Sequence, residues 1–373
     1  MKAWPVLGIL FIEGILFLAH WFIYSTLVDF CGGLGATGIL ILRCVLLPLA
    51  FSFIVAALLS YRFANPLVTT LYKVAAVWLG FLSFFFLAAC LCWAVWMILL
   101  AAMPHAAASL VRPHIAMVCF GFGFAAGVYG MVNAYAVRIR RVSIRLPNLP
   151  ASWIGRTGLL ISDLHLGHIN GVRFNRRVVA LAARLHPDII FVAGDVFDGT
   201  KVDPGPLAAP FKQLAPPLGI YFATGNHDEF GDRQQFLAAL AQAGMRVLNN
   251  EKVIVDGLQI LGVRYHETTF PMRLRTTLES MNIDRKTASI LLSHVPNRLP
   301  IVAEAGVSLQ LSGHTHGGQF VPYTWLTRRV FGKFTHGLHS FGALQVYTSY
   351  GAGTWGPPMR VGTSPEIVLL KFE

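Results

Sequence analysis

The sequence predicts a two-part protein, in which an N-terminal all-α bundle of four transmembrane helices precedes a C-terminal α/β (α+β) sandwich with mixed sheets flanked by helices. Three observations predict this division. Hydrophobic residues make up 55% of the 373 residues and charged residues only 13%, which is too apolar for one ordinary soluble domain. The charges lie almost entirely after residue 137, since residues 1–137 contain only five Lys or Arg and two acidic residues. Short apolar runs in the remaining part each end at Asp, Asn or His.

Four apolar stretches are long enough to cross a bilayer, which takes roughly 20 residues. They cover residues 5–24, 35–59, 74–103 and 115–137. The basic residues that flank one side are Lys2, Arg62, Lys73, Arg138, Arg140 and Arg141, against Arg112 on the other. Because basic flanks stay in the cytoplasm, this bias predicts a multi-pass protein of the cell (inner) membrane with its C-terminal domain in the cytoplasm.

The first two stretches raise two further points. The first stretch is an alternative candidate for a signal peptide, but the sequence at its end, HWFIY at 20–24, offers no small-residue cleavage site. Glu13 and Arg43 are ionisable residues inside predicted spans, where such groups are costly and usually paired. We expect an ion pair between them at similar depth; the alternative is a polar cavity in the bundle.

Cysteine usage and net charge limit the C-terminal domain's chemistry. All five cysteines precede residue 137, so any metal ligands of this domain must be oxygen and nitrogen. The net charge of +12 includes a juxtamembrane cluster at 138–145, which membrane topology and anionic headgroups explain. No nucleic-acid partner is expected, because no strand platform of aromatic and basic residues is recognisable.

The C-terminal part alternates apolar strands and helices. A linker is expected at 138–156, where Pro147, Pro150 and Gly155 break any continuing helix, so the predicted domains are 1–137 and 157–373. Buried strands are predicted at 159–162, 188–193, 219–223, 289–292 and 307–311. Helical spacing covers 173–184 and 234–243. This order predicts a sandwich with mixed rather than purely parallel sheets.

Polar residues follow each of these strands. The candidate metal ligands are Asp163, His165, Asp195, Asn226, His294, His314 and His316. Because each comes at the C-terminal end of a strand, we expect them to meet on one rim of one sheet. Carboxylate, amide and imidazole ligands without thiolate favour Mn, Fe, Zn or Mg. The pattern therefore predicts a hydrolytic site with two divalent metal ions, which can bind both the attacking and the leaving oxygen of a phosphoryl displacement.

Two residues beside Asn226 are candidate catalytic groups. If Asn226 binds metal, His227 is free to face the substrate, where it could donate a proton to the leaving oxygen or stabilise its charge. Asp228 would then orient the imidazole of His227. Asp198 is expected to support the loop rather than to bind metal.

These segments together resemble a known family. D-x-H at 163–165, G-D-x-x-D at 194–198, G-N-H-D at 225–228, His294 and G-H-T-H at 313–316 occur in the order found in the calcineurin-like metallophosphoesterase superfamily. The match covers roughly residues 158–318. GHTHGGQ at 313–319, YGAG at 350–353 through Arg360, and SPE at 364–366 resemble its bacterial membrane-associated branch of predicted phosphohydrolases.

The resemblance implies a specific ligand arrangement. Asp163, His165, Asp195 and His316 would hold one ion. Asp195, Asn226, His294 and His314 would hold the other. The sequence departs from the branch at RYHE, residues 264–267, where an acidic pair is expected, and this puts the choice of substrate in doubt.

The resulting expectation is a membrane-anchored dinuclear-metal phosphohydrolase that cleaves phosphoester or diphosphate bonds with a metal-bound hydroxide. Resemblance and location together suggest a phosphorylated lipid-linked substrate such as a nucleotide-diphospho-acylsugar, with the lipid bilayer as partner. The alternatives are a soluble-nucleotide phosphodiesterase and a membrane sensor or transport component whose domain only binds ligand. The aromatic and basic loop at 320–341 is expected to rest on headgroups or hold an anionic lipid substrate; the alternative is a solvated loop.

Overall fold

A computed structural model describes residues 3–373 of the protein, with side chains from Val6 onward. The described chain divides into two compact units. One extends to Val132 and includes Gly356–Met359, and the other comprises Asn133–Trp355 and Arg360–Glu373. Lys2, on which part of the topology prediction depends, lies outside the described residues.

The first unit is helical, as predicted. Among the described residues its four long helices are α1 (Ala3–Phe30), α2 (Ala36–Ser60), α3 (Pro66–Ala102) and α4 (His105–Ala134), each long and apolar enough to cross a membrane. The side chain of Asn65 starts α3 by accepting a hydrogen bond from the Val68 amide at 2.9 Å, and Pro66 follows at the first helical position. Small buried residues such as Ala88, Cys92 and Ala116 allow α3 and α4 to pack closely.

The predicted ion pair between Glu13 and Arg43 is wrong. Arg43 Nε donates to the hydroxyl of Tyr24 at 2.8 Å, and the guanidinium lies 5.5 Å from the Tyr24 ring centroid. Among the described residues, neither carboxylate oxygen of Glu13 has a hydrogen-bond partner. Tyr24 is eleven residues beyond Glu13, about 16 Å along the helix axis at 1.5 Å per residue, so Arg43 lies at the depth of Tyr24 instead.

The second unit contains two mixed six-stranded sheets within the described chain. The first consists of β1 (Arg138–Ile144), β2 (Thr157–Ile161), β3 (Ile189–Ala193), β4 (Ile220–Ala223), β5 (Met245–Val247) and β12 (Glu366–Phe372), in the order β1-β12-β2-β3-β4-β5. The second consists of β6 (Glu251–Val255), β7 (Leu258–Gly262), β8 (Ser289–Leu292), β9 (Leu309–Ser312), β10 (Gly337–Phe341) and β11 (Leu344–Thr348), in the order β10-β11-β9-β8-β7-β6. In each sheet four adjacent strands are parallel: β2 to β5 in the first, and β7, β8, β9 and β11 in the second.

Helices cover the outer faces of the sheets, and a shared core lies between them. The helices of this unit are α5 (Val172–Ala183), α6 (Pro204–Ala208), α7 (Arg233–Gln242), α8 (Tyr265–Thr269), α9 (Pro271–Ser280), α10 (Leu299–Glu304) and α11 (Tyr323–Phe331). Buried residues of both sheets, among them Phe191 and Ile290, form the inner core. Phe174 of α5 packs on the outer face of the first sheet, and Leu278 of α9 on that of the second. This arrangement confirms the predicted sandwich.

Two segments that the sequence analysis treated as irregular are ordered elements. Residues 138–144, placed in a linker, form β1 and pair in parallel with β12, with Arg138 opposite Glu366. The alternation of Arg and Ile suits an edge strand with one solvated face. The aromatic and basic loop at 320–341 instead contains α11, a 3-10 turn at Gly332–Thr335 and β10. The sequence pattern missed α11 because its nine residues bury little more than Thr324.

Candidate metal centre

The candidate ligands meet where strands of both sheets end. Asp163 and His165 follow β2, Asp195 follows β3 and Asn226 follows β4, all in the first sheet. His294 follows β8, and His314 and His316 follow β9, in the second. The expectation of one rim of one sheet is therefore wrong, because these strands belong to two packed sheets whose C-terminal ends face the same region.

The backbone of this region is strained at the ligands themselves. Asp163, His165, Asp195, His314 and His316 all have positive φ, between 46° and 69°. A residue with a side chain in this conformation costs on the order of 1–3 kcal/mol, and such strain concentrates at functional sites. The fold therefore holds these five side chains in orientations that free loops would avoid.

Glycines of the sequence segments allow the strand ends to approach closely. Gly194 has φ +83°, and a Cβ there would lie 2.6 Å from His294 Nδ1. A Cβ at Gly225 would overlap the carboxylate of Asp195, and one at Gly313 would overlap that of Asp163. Each glycine before a ligand thus leaves room for a ligand from a neighbouring strand.

The ligand atoms form groups of the size that a metal ion occupies. Asp163, His165 and His316 form one group, and Asp195, His294 and His314 another, with all ligand atoms in each group within 4.8 Å of one another. Nε2 of His165 and Nε2 of His316 are 2.9 Å apart. The Asp195 carboxylate lies 3.1 Å from His294 Nε2 and 3.7 Å from His165 Nε2, so it reaches both groups.

Asn226 joins the second group. Its side-chain oxygen lies 3.0 Å from Nδ1 of His314. The structure thus brings together all seven predicted metal-site residues.

The donor atoms fit divalent cations. Asp163, His165, Asp195 and His294 are at most 2% exposed. Among the described residues, Asp163 Oδ2 and His165 Nδ1 are buried without a hydrogen-bond partner. Buried polar groups in this state are expected where an ion supplies the missing partner. A set of carboxylate, amide and imidazole donors without sulfur suits Mn, Fe, Zn or Mg.

The pKa values show which groups carry charge before an ion binds. Burial raises the pKa of Asp163 to about 6. Burial also acts to raise the pKa of Asp195, but the nearby histidines, His294 first, hold it below its usual value. Burial acts to lower the pKa of His294, yet Asp195 and Asp163 raise it to about 10. His294 therefore carries a proton that balances the two carboxylates.

The other three histidine ligands are neutral at pH 7. Burial holds the pKa of His165 and of His316 well below the usual value, and burial together with His294 lowers that of His314 to about 4. A neutral imidazole offers a nitrogen lone pair, which is the form that binds metal.

His227 lies beside the two groups. Its Nδ1 is 2.8 Å from the backbone oxygen of Asp198, so Nδ1–H donates and Nε2 is directed elsewhere. A ligand atom of His227 lies within 4.8 Å of those of His165 and Asp195. The rings of Phe230 and Trp355 lie 5.2 and 5.6 Å from its ring and limit its movement.

Asp228 does not orient His227, contrary to the prediction. Its buried carboxylate accepts backbone hydrogen bonds from Asp195 at 2.7 Å, Gly225 at 2.9 Å and Phe197 at 3.0 Å. Three amides from two loops converge on it, so Asp228 fixes the backbone that carries Asp195. The carbonyl of Asp198 holds the imidazole instead.

Arg360 contacts the candidate ligand His316, a role that no sequence motif predicted. This fully buried side chain donates from Nη1 to the His316 carbonyl at 2.9 Å, and its Nη2 lies 3.1 Å from His316 Nδ1. Nη2 also donates to the carbonyls of Tyr350 and Gly353. The sequence feature that could have indicated this role was a single basic residue in a segment rich in Gly and Pro.

Contacts of Glu229, which the sequence did not predict, support the loop that carries Asn226. Glu229 accepts a hydrogen bond from Thr224 at 2.8 Å and forms an ion pair with Arg264 at 3.2 Å. Thr224 and Glu229 bracket Asn226 and His227 in sequence. Arg264, at the position where the sequence departs from the resembled branch, thus braces the loop that carries both.

Known proteins resemble this chain over the same region. The sequence profile described as calcineurin-like phosphoesterase matches residues 159–318. A protein of Aquifex aeolicus (strain VF5) named "Uncharacterized metallophosphoesterase" is 33% identical over 260 residues, which cover 66% of this chain and 96% of that protein. A Campylobacter jejuni metallophosphoesterase is 28% identical over 252 residues, 66% of each chain.

A vertebrate relative is named for both parts of this architecture. The "Transmembrane protein with metallophosphoesterase domain" of Danio rerio is 32% identical over 259 residues, which cover 64% of this chain and 58% of that protein. This chain thus spans little more than half of that relative's length. These similarities and the grouped ligands show that the chain belongs to the calcineurin-like phosphoesterase family and carries a metal-dependent phosphoesterase domain.

Proposed function

We propose that this phosphoesterase is anchored in the cell membrane by α1–α4, holds two divalent ions and hydrolyses phosphoester or diphosphate bonds of a lipid-linked substrate on the cytoplasmic side. The observation that carries the two-ion part is the position of Asp195, whose carboxylate lies within reach of His165 and His294. A shared carboxylate between two sets of ligands is the arrangement that a dinuclear centre requires.

The chain's residues divide between the two ions. Asp163, His165 and His316 would hold one, Asn226, His294 and His314 the other, and Asp195 would contact both. When bound, two ions supply the positive charge that activates water and offsets the negative charge of the phosphoryl group.

His227 supplies proton transfer in this proposal. Because Nδ1 is engaged by the Asp198 carbonyl, a protonated His227 presents Nε2–H toward the site. That hydrogen can be donated to the leaving oxygen of the substrate. The backbone amide of His227 also donates to Asp195 Oδ1 at 2.8 Å, so the carboxylate that would contact both ions also positions this residue.

Two observations support a substrate at the membrane. Four long apolar helices are more than one anchor requires. Exposed apolar side chains of α11, namely Trp325 and Leu326, stand beside Arg328 and Arg329, a combination suited to a surface with anionic headgroups. The flanking basic residues favour a cytoplasmic phosphoesterase domain.

The proposal is tested with the purified full chain in detergent. A chromogenic phosphodiester and monoester are assayed with Mn, Zn, Fe and Mg, together with Asp195→Asn, His227→Ala and the surface control Asp256→Asn. We expect metal-dependent turnover that both site variants lose by at least a hundredfold and the control retains, since loss of a general acid alone costs about 10²–10⁴-fold. Two bound ions with no turnover of any ester would contradict the hydrolytic role and favour a ligand-binding sensor.

A further inference from the structure

A cavity of about 660 Å³ adjoins the candidate metal centre. It lies between α8, α10, α11 and the β10–β11 hairpin. His314 lines it, and the same residue contributes a ligand atom within 4.8 Å of those of Asp195 and His294. A group attached to a phosphate at the metal centre can therefore extend directly into this space.

The walls of the cavity are mainly apolar. Phe331, Phe334, Phe341, Val330 and Leu299 line it. Among the described residues that line it, Arg298 carries a positive charge and none is acidic. Polar side chains also line it, namely those of Tyr265, Thr268, Thr269, Asn297, Arg298 and His314. The apolar part of the wall would stabilise hydrocarbon by removing apolar surface from water.

Aromatic surface begins next to the ligand histidine. The ring of Phe331 lies 6.1 Å from the His314 ring, edge-on, and the ring of Tyr265 lies 6.5 Å from it. Both rings also line the cavity. The first atoms beyond a phosphate bound at His314 would thus already contact apolar groups.

We propose that this cavity binds the hydrocarbon chain of an amphiphilic phosphoester and selects such substrates over short or polar ones. The proposal rests on the function proposed above, because it assumes that the phosphate occupies the adjacent centre. The volume lies within the range of about 300–1,000 Å³ typical of ligand sites, and far exceeds the needs of a phosphate alone.

The apolar lining continues to the outer surface. Val330 lines the cavity and is 66% exposed, and Leu326, one turn earlier in α11, is 62% exposed. A chain that leaves a lipid phase would therefore meet apolar surface along its path into the cavity. Single exposed apolar residues are ordinary, but these continue an internal wall.

The test measures binding of hexyl phosphate, methyl phosphate and adenosine monophosphate to the full chain with Mn²⁺, by calorimetry in detergent with empty micelles as the blank. Each methylene that leaves water strengthens binding by about fourfold, so the five additional methylenes of hexyl phosphate should make it bind on the order of a hundredfold to a thousandfold more tightly than methyl phosphate. Thr269→Trp, which fills the cavity from α8, and Phe341→Ala, which removes part of its wall, should each lower this ratio at least tenfold. Phe270→Ala is the matched control, since Phe270 is 47% exposed and lies outside the lining, and it should keep the ratio.

The outcomes separate this proposal from the function on which it rests. Equal affinity for both alkyl phosphates in the wild type, or tighter binding of adenosine monophosphate, overturns the hydrocarbon site even if ester turnover is observed. A high hexyl-to-methyl ratio that falls in Thr269→Trp supports the site even if no tested ester is hydrolysed. Failure of every phosphate to bind overturns both.

Discussion

The guanidinium of Arg360 lies 3.1 Å from Nδ1 of His316 and donates to the His316 carbonyl at 2.9 Å. It also donates to carbonyls of the loop at 350–353, so a single buried side chain ties that loop to a candidate ligand. Groups that orient a metal ligand are commonly as important as the ligand itself.

We predict that Arg360→Met weakens metal binding by about 10–100-fold, the usual effect of losing a group that orients a ligand. Arg360→Lys should recover little, because an ammonium cannot reproduce the planar fork that reaches several carbonyls. Metal titration of the full chain measures the affinity, and Arg145→Met, at an 83% exposed position, is the control. Wild-type affinity in a folded Arg360→Met protein would contradict this role.

Asp228 offers a test between the observed and the predicted role. Asp228→Ala leaves the amides of Asp195, Gly225 and Phe197 without their acceptor, and each unsatisfied buried group costs about 1–3 kcal/mol. We therefore expect a clear drop in the thermal unfolding temperature of the full chain. Asp256→Asn, at a half-exposed ion pair, should change it little, because Asn tolerates the positive φ of 46° at this position. An unchanged unfolding temperature with an altered pH–rate profile would instead support an effect on His227.

Metal binding should release a proton from His294. The neighbouring carboxylates raise the pKa of His294 to about 10 against the opposing effect of burial, so the ring is protonated at pH 7 in the metal-free protein. Its Nε2 can bind an ion only after losing that proton. Below pH 10, protonation of His294 alone should thus lower the apparent affinity for metal about tenfold for each unit by which the pH decreases.

Calorimetry in buffers of different ionisation enthalpy measures the number of protons released. We expect about one at pH 8, where Asp163, with a pKa of about 6, is already ionised. Enthalpies that do not depend on the buffer would show that His294 keeps its proton and does not bind the metal.

The proposed cytoplasmic location of the phosphoesterase domain can be tested with a fluorescent protein fused after Glu373. Such reporters fold in the cytoplasm and fail after export, so we expect bright cells if the phosphoesterase domain is cytoplasmic. A periplasmic phosphatase reporter at the same position should be inactive, and one inserted between α3 and α4 active. The opposite pattern would place the metal centre outside the cytoplasm.

The sequence predicted the parts of the fold that depend on local pattern. Apolar runs bounded by Gly and polar residues identified β2, β3, β4, β8 and β9, because a buried strand must be apolar on both faces. Because each candidate ligand directly follows a strand, the sequence predicted that the ligands lie close together. It did not show that they come from two different sheets. Asp163 and His316 meet for this reason although more than 150 residues separate them in the sequence.

What could not be predicted depends on distant partners. Residues 138–144 become a strand only because β12 supplies the pairing edge, and no local pattern shows that. Asp228 follows His227 directly, which suggested an imidazole partner, but its carboxylate turns to the amides of another loop. The depth of Arg43 in the helical bundle follows from its distance along α2 from the turn between α1 and α2. It does not follow from the presence of an opposite charge in α1.

The position of β12 has a consequence for how the protein is made. This strand lies between β1 and β2, although it is synthesised after every other strand. Until Glu366–Phe372 has left the ribosome, β1 has no neighbour and β2 has an open edge, while the helices of the first unit have long been synthesised. The sheet that carries the ligands after β2 therefore stays incomplete until the end of synthesis, and the nascent domain becomes able to bind metal only late. Until then its strand edges are exposed, so chaperones are valuable during translation.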